Sequence, residues 1–430
     1  MSPGMNRHLH RAALILTCLL PVAFLHSRVA AEIGIALIDL AFLFTMARER
    51  QWHWLRQPWL VIALAWWLWE TICSTPIPPL GLGASGWPGF IQALLLIRFI
   101  MLVAAMANWL LTTAAARRIA YLTLAFSALW IGLESWEQYL TGRNIFGDAR
   151  WPDGSLTGPF WEPRAGAPYA HILCAAMLPA VIPLLNRPRR PARVFGIILA
   201  ILGLATSVLI GQRMPSVLVL LALATACLFI PKLRPAAAIA VLAAAAVLAA
   251  TPIISPPTYH KLVLHFISQM GRFEVSPYGE LYVRAVTMAL AAPWHGYGFL
   301  GFKDFCPGPQ FGTGFPALGI APTTLALAAC NIHPHNFYLQ ALTDAGFPGL
   351  LLFAALNLAW LIALARGLWR NPDPLRVGLF VGVLTYAWPL ASTDNFAVLP
   401  MIGWLIYMVG LGLAAAHITL KPIAPDTPNV

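Results

Sequence analysis

Apolar residues in this chain come in unbroken runs, not at alternating positions. The runs lie at about 12–26, 30–46, 57–75, 90–111, 119–138, 167–186, 194–211, 215–231, 236–254, 347–366, 377–391 and 397–417. Most approach twenty residues, which as a helix crosses a hydrocarbon layer ~30 Å thick. Backbone polar groups in lipid must bond within their own segment or around a closed barrel, and continuous runs without a period of two exclude the barrel. The pattern predicts an all-α, polytopic membrane protein of about twelve transmembrane helices. It forms a single integral membrane domain over residues 1–430. The first run follows Arg7 and Arg11, as in a signal peptide, but no small-residue cleavage site follows it. It reads as a retained first helix.

Composition agrees with this. Of 430 residues, 59% are hydrophobic and 10% charged, with mean hydropathy +0.73. The net charge of +11 would suit nucleic acid if it were gathered on one soluble face. Instead the basic residues occupy alternate loops: Arg48, Arg50 and Arg56; Arg117 and Arg118; Arg187, Arg189, Arg190 and Arg193; Lys232 and Arg234; Arg366, Arg370 and Arg376. That is the positive-inside pattern. With the N-terminus inside, all these loops and the tail ITLKPIAPDTPNV are cytoplasmic, and no nucleic-acid partner is expected.

Three longer segments fall on the outer side. Ser74–Gly89 is uncharged and rich in Pro and Gly, a loop lying against the membrane. Thr141–Pro168 mixes aromatic, Gly and charged residues, which suits carbohydrate contact or simply an ordered loop. The largest, 255–346, separates the ninth and tenth spans and contains a helix-like stretch near Gly279–Ala292. Cys306 and Cys330 lie in it, whereas Cys18, Cys73, Cys174 and Cys227 lie in apolar runs. On an oxidising side the pair would close a disulfide worth roughly 3 kcal/mol; otherwise they are two thiols.

Polar chemistry gathers on that outer side. Arg213 sits in the tight turn GQRMP, where its planar fork would hold a phosphate diester or reach lipid headgroups. Arg284 follows Glu280 by four residues, a spacing for a pair on one helix face or for a second cation on the same anion. Arg98, deep in LLLIRFIML, calls for an ion pair, with Glu70, Glu134 and Glu137 as candidates. Asn336 is a good N-cap, and Gly346 can end the short helix it starts. A helix N-terminus favours bound anions and a neutral imidazole, so His335 is placed to act as a general base. His333 with His335 gives only two ligands toward a metal, so no metal is assigned. Asp344, nine residues beyond His335, would orient that histidine or a sugar hydroxyl, or cap the helix.

His335-Asn336, Leu339, the acidic Asp344, Gly346 and Gly349 together resemble the O-antigen ligase and polymerase family. The resemblance extends to Arg213 in GQRMP, to Arg284 ahead of AAPWHGYGFLGF, and to the span count with its large late loop. The family usually has Glu where this chain has Asp344. The resemblance implies a GT-C-like glycosyltransferase of the bacterial inner membrane with its site facing the periplasm. Such enzymes take a glycan from undecaprenyl diphosphate. Ligases place it on lipid A–core; O-antigen or exopolysaccharide polymerases extend another lipid-linked chain. The expected reaction inverts the sugar and uses no cofactor or metal. Arg213 and Arg284 would hold the diphosphate and His335 would take the proton, with Asn336, Asp344, Glu280 and His333 in support. A transporter of the same lipid-linked glycans is the other class, but the paired halves it calls for are absent from the sequence.

Overall fold

A computed structural model describes residues 3–77, 85–271, 273, 276–322, 330 and 332–418. The tail beyond Ile418, the centre of the first outer loop and residues 323–329 of the largest lie outside the described residues. The helices, in chain order, are α1 (Pro3–His26), α2 (Arg28–Glu49), α3 (Pro58–Cys73), α4 (Gly86–Leu95), α5 (Ile97–Ala105), α6 (Ala114–Thr141), α7 (Gly166–Asn186), α8 (Arg190–Ile210), α9 (Arg213–Phe229) and α10 (Arg234–Ile254). Next come the short α11 (Pro256–Tyr259), α12 (His265–Met270), α13 (Pro277–Ala291) and α14 (Gly301–Phe305), then α15 (Phe337–Ala365), α16 (Pro374–Tyr386) and α17 (Met401–Ile418).

Eight described stretches are long and apolar enough to cross a membrane, α4 and α5 counting with the turn after them as one. Four shorter apolar helices, α3, α9, α16 and α17, pack among them. Together these coincide with the twelve runs read from the sequence, and the chain is an all-α polytopic membrane protein. Helix ends carry their expected punctuation. Ser27 caps α2, Thr113 caps α6 and Asp373 caps α16 through side-chain oxygens, while left-handed Gly142 and Gly211 close α6 and α8.

Connections at the two ends of the bundle stay apart. At one end are the basic loops, where Arg376 donates to the Arg366 carbonyl and Trp369 packs on Phe229. At the other, the outer segments bond to one another: Leu156 N to Ile210 O, Phe299 N to Ser74 Oγ, Thr393 N to His335 O. This second end is the loop end. Arg98 corrects one expectation. Its partner is Glu32 of α2, bound through Nε (2.8 Å) and Nη2 (3.0 Å), not Glu70, Glu134 or Glu137. Nη2 also reaches Ala397 O, so the pair ties the 387–400 segment to the bundle.

A break divides α15 into two parts. Gly346 has φ +67° and ψ −167°, a region essentially closed to other residues. The segment after α13 fills the break: Tyr297 N donates to Thr343 O, Gly298 N to Asp344 O, and Phe347 N to Pro293 O, each at 2.8 Å. Trp69 Nε1 donates to Ala345 O. The first turns of α15 are thereby fixed at an angle to the apolar part, at the loop end.

Candidate active site at the loop end

Asn336 builds the site. Its Oδ1 accepts from Tyr338 N (3.0 Å) and Leu339 N (3.1 Å), capping α15. Its Nδ2 donates to Pro389 O (2.7 Å) and Ala391 O (3.3 Å), which draws the 387–400 segment over the helix start. His335 precedes the cap in a left-handed conformation, φ +53°, uncommon for a residue with a Cβ. Thr393 holds it there: Thr393 N donates to His335 O (2.9 Å), and His335 Nδ1 faces Thr393 O at 3.4 Å. A carbonyl only accepts, so Nδ1 carries the hydrogen and the basic lone pair lies on Nε2.

Two rings flank His335, His333 at 4.5 Å between centroids and Tyr278 of α13 at 5.6 Å, both edge-on. His333 Nε2 lies 3.5 Å from Asp394 Oδ1, without hydrogen-bond geometry. Burial pushes the His333 pKa down, and the neighbouring His335 adds to that; Asp394 opposes, and the value falls to about 4. Burial lowers His335 as well, against the Thr393 carbonyl and Asp394. Both imidazoles are therefore neutral at pH 7, the form that accepts a proton.

Arg213 opens α9 beyond the Gly211 turn. Its Nε donates to Lys261 O (2.9 Å) and its Nη1 to Gln269 Oε1. Lys261 Nζ bonds Asp153 and Ser155 of the 142–165 segment. Burial pushes the Asp153 pKa up, but the bonds from Lys261 and Ser155 prevail and hold it below the usual carboxylate range. Arg150 reaches Ser255 Oγ at 3.1 Å in the same quarter. Tyr278 lies close enough to Arg213 to act on it electrostatically. Tyr278 is thus edge-on to His335 and within electrostatic range of Arg213.

Arg284 turns to the disulfide loop. It is 1% exposed, and its Nη1 donates to Cys306 O (2.6 Å) and Gly308 O (3.2 Å). At 100° per residue, positions 278 and 282 share one face of α13, and position 284 leaves from nearly the opposite side of Tyr282. Burial lowers its pKa while Glu280, close by, raises it. Glu280 is itself 4% exposed, with Oε2 lacking a hydrogen bond. Cys306 and Cys330 are joined in a disulfide, and Leu281, Ala285 and Met288 pack with Phe302 and Phe311 under it. In this conformation Arg284 fastens the disulfide loop. Asp344 does not meet His335 either. It is 1% exposed, receives Gln340 Nε2 (3.3 Å), and faces the buried Glu70 of α3.

The carboxylate beside the histidines is Asp394, which the sequence reading missed. Only its polar setting, STDN between two apolar runs, could have marked it. Lys261 was also missed, although a lysine on the side that the positive-inside pattern leaves poor in cations was a usable signal. Tyr278 carried none. Among the described residues, no group of three or more His, Cys, Asp or Glu side chains is arranged to hold a metal ion.

The family model for O-antigen ligase matches residues 198–354. No curated protein matches the chain. The matched stretch runs from α8 into α15 and contains Arg213, Lys261, Tyr278, Arg284, both disulfide cysteines and both histidines. It thus covers the motifs on which the resemblance was read, and over residues 198–354 the chain is similar to the O-antigen ligase family.

Proposed function

We propose that this protein is an O-antigen ligase, moving a glycan from undecaprenyl diphosphate to a sugar hydroxyl of lipid A–core in the inner membrane, at a periplasm-facing site. The family it resembles is one of ligase- or polymerase-type glycosyltransferases acting on lipid-linked glycans. The acceptor hydroxyl attacks the anomeric carbon and the bond to the diphosphate oxygen breaks. His335 Nε2 takes the hydroxyl proton. The electron pair leaves with the diphosphate, whose charge Arg213 and Lys261 stabilise. Stabilisation of developing charge in a site that holds its donors fixed is commonly the larger share of such catalysis. Displacement in one step inverts the anomeric centre. No nucleotide sugar or metal enters the step.

The observation that carries the reading is the neutral His335, with Nδ1 turned to Thr393 O and Tyr278, which lies within electrostatic range of Arg213, edge-on beside it. Arg284 enters as the residue that fixes the disulfide loop beside α13, and Asn336, His333 and Asp394 as those that set the histidine. Asp344 belongs to the α15 break. A polymerase would share the donor half of this account. Reconstitution in proteoliposomes with lipid-linked glycan and either lipid A–core or a second lipid-linked repeat tests the choice. Product on lipid A–core supports the ligase, and product only on the repeat overturns it in favour of the polymerase.

A further inference from the structure

A cavity of about 440 Å³ opens at the loop end, away from Arg213. Its walls are the α1–α2 turn with His26 and Arg28, the segment with Phe146, Asp148, Trp161 and Arg164, and Pro400. We propose that it binds a sugar bearing an acidic group, phosphate or carboxylate, on the lipid-anchored acceptor. The proposal rests on the reading of the protein as a glycosyltransferase.

Phe146 stands on a hydrogen-bonded frame, with Trp161 exposed beside it. Asn144 Oδ1 accepts from Phe146 N (3.1 Å) and Asp148 N (2.8 Å), and its Nδ2 donates to Gly158 O (2.8 Å). Buried Gln138 donates to Thr157 Oγ1 and Asp148 O and accepts from Thr157 N. Glu134 takes Ile145 N. Trp161 is 66% exposed and Phe146 57%. Large exposed aromatic faces beside this hydrogen-bonded frame suit the apolar face of a sugar ring. Arg28 makes no hydrogen bond or ion pair among the described residues, and Arg164 pairs only with Glu162, at 2.5 Å. Two guanidiniums suit the planar fork contact with phosphate or carboxylate. Asp148 would repel such a group but accepts from a hydroxyl, and a sugar offers both.

Position points to the acceptor and not the donor. Inverting displacement brings the hydroxyl in opposite the departing diphosphate. On the donor side, Tyr278 lies edge-on to His335 and within electrostatic range of Arg213. The 387–400 segment, with Thr393 and Asp394 on the histidines, leads instead to Pro400 in the cavity wall. Six residues span at most about 20 Å. The cavity also adjoins the ends of α1 and α2, where a lipid-anchored molecule would arrive.

The test is binding to the full-length protein in detergent, in both wild type and His335→Ala. The probe is phosphorylated core oligosaccharide released from rough lipopolysaccharide by mild acid. Trp161→Ala, and separately Arg28→Ala with Arg164→Ala, should each weaken binding at least about ten-fold, roughly the loss of one ring or fork contact. Chemical dephosphorylation of the probe should cost wild type as much and the double arginine variant nothing more. These residues are largely outside the core, and an unchanged melting temperature verifies folding. Equal affinity of the variants overturns the proposal. So does full displacement by phosphatidylglycerol vesicles, which marks a lipid-headgroup site, or by inorganic phosphate, which marks a free-anion site. Transfer separates the two claims. If His335→Ala still turns over while Trp161→Ala loses binding, the base fails and the cavity stands. If His335→Ala is dead while Trp161→Ala binds normally, the reverse holds.

Discussion

Asn336 does two jobs that one substitution can separate. Its oxygen caps α15, and its amide nitrogen holds the 387–400 segment by two carbonyls. It is 4% exposed, so water replaces neither set of bonds easily. Asn336→Ala removes both. Loss of the cap costs about 1 kcal/mol, and leaving the Pro389 and Ala391 carbonyls unmatched costs about 1 kcal/mol each or more. A total near 3 kcal/mol is expected. Asn336→Asp keeps the cap but has no hydrogen for the carbonyls and sets a charge against them. It should be no more stable than Asn336→Ala, and both should lose most transfer, because Thr393 and Asp394 no longer meet the histidines. Equilibrium unfolding in mixed micelles and transfer in proteoliposomes measure the two effects. If Asn336→Asp recovers wild-type stability and turnover, the cap alone matters and the anchoring of the segment is refuted.

The same contacts set other expectations. His333 binds its proton at a pKa near 4, against 6.5 when unfolded. The unfolded chain therefore holds the extra proton between those values, and stability should fall as pH drops through that window, by up to about 3 kcal/mol. An unfolding free energy flat from pH 7 to 4 would contradict this. Transfer should likewise be flat near neutrality and fall only on the acid side. Asp394→Asn, which removes a carboxylate that raises both histidines, should move that limb to lower pH; movement upward would contradict the assignment. Gly346→Ala should cost about 3 kcal/mol or more, since its backbone region is closed to alanine and a Cβ would lie 2.5 Å from Pro293 O. Arg213→Lys should impair transfer with insertion intact, because an ammonium lacks the fork. Wild-type rates there would point to headgroup contact.

The twelve apolar helical stretches, eight of them long enough to cross a membrane, were legible because lipid imposes one solution on a long apolar run, whatever surrounds it. The N-cap at Asn336 was legible too, since it depends on residues two and three positions away. Contacts set by how distant segments meet were not. Arg98 finds Glu32 across 66 residues, and His335 meets Thr393 across 58. No periodicity encodes either. The spacing from Glu280 to Arg284 correctly suggested a shared helix face, but the carbonyls of Cys306 and Gly308 on that face come from a loop closed by the disulfide. Asp344 illustrates the same limit. Its nine-residue offset placed it near the helix end, and the break at Gly346 turned it toward Glu70.

In the proposed mechanism the His335 imidazole removes the acceptor proton beside a diphosphate held by Arg213 and Lys261. Single-turnover transfer by His335→Ala, in proteoliposomes with the donor pre-bound, tests it most directly. The rate should fall about 10² to 10⁴-fold, the usual worth of a general base, with undecaprenyl diphosphate binding unchanged. A rate within a few-fold of wild type would contradict it.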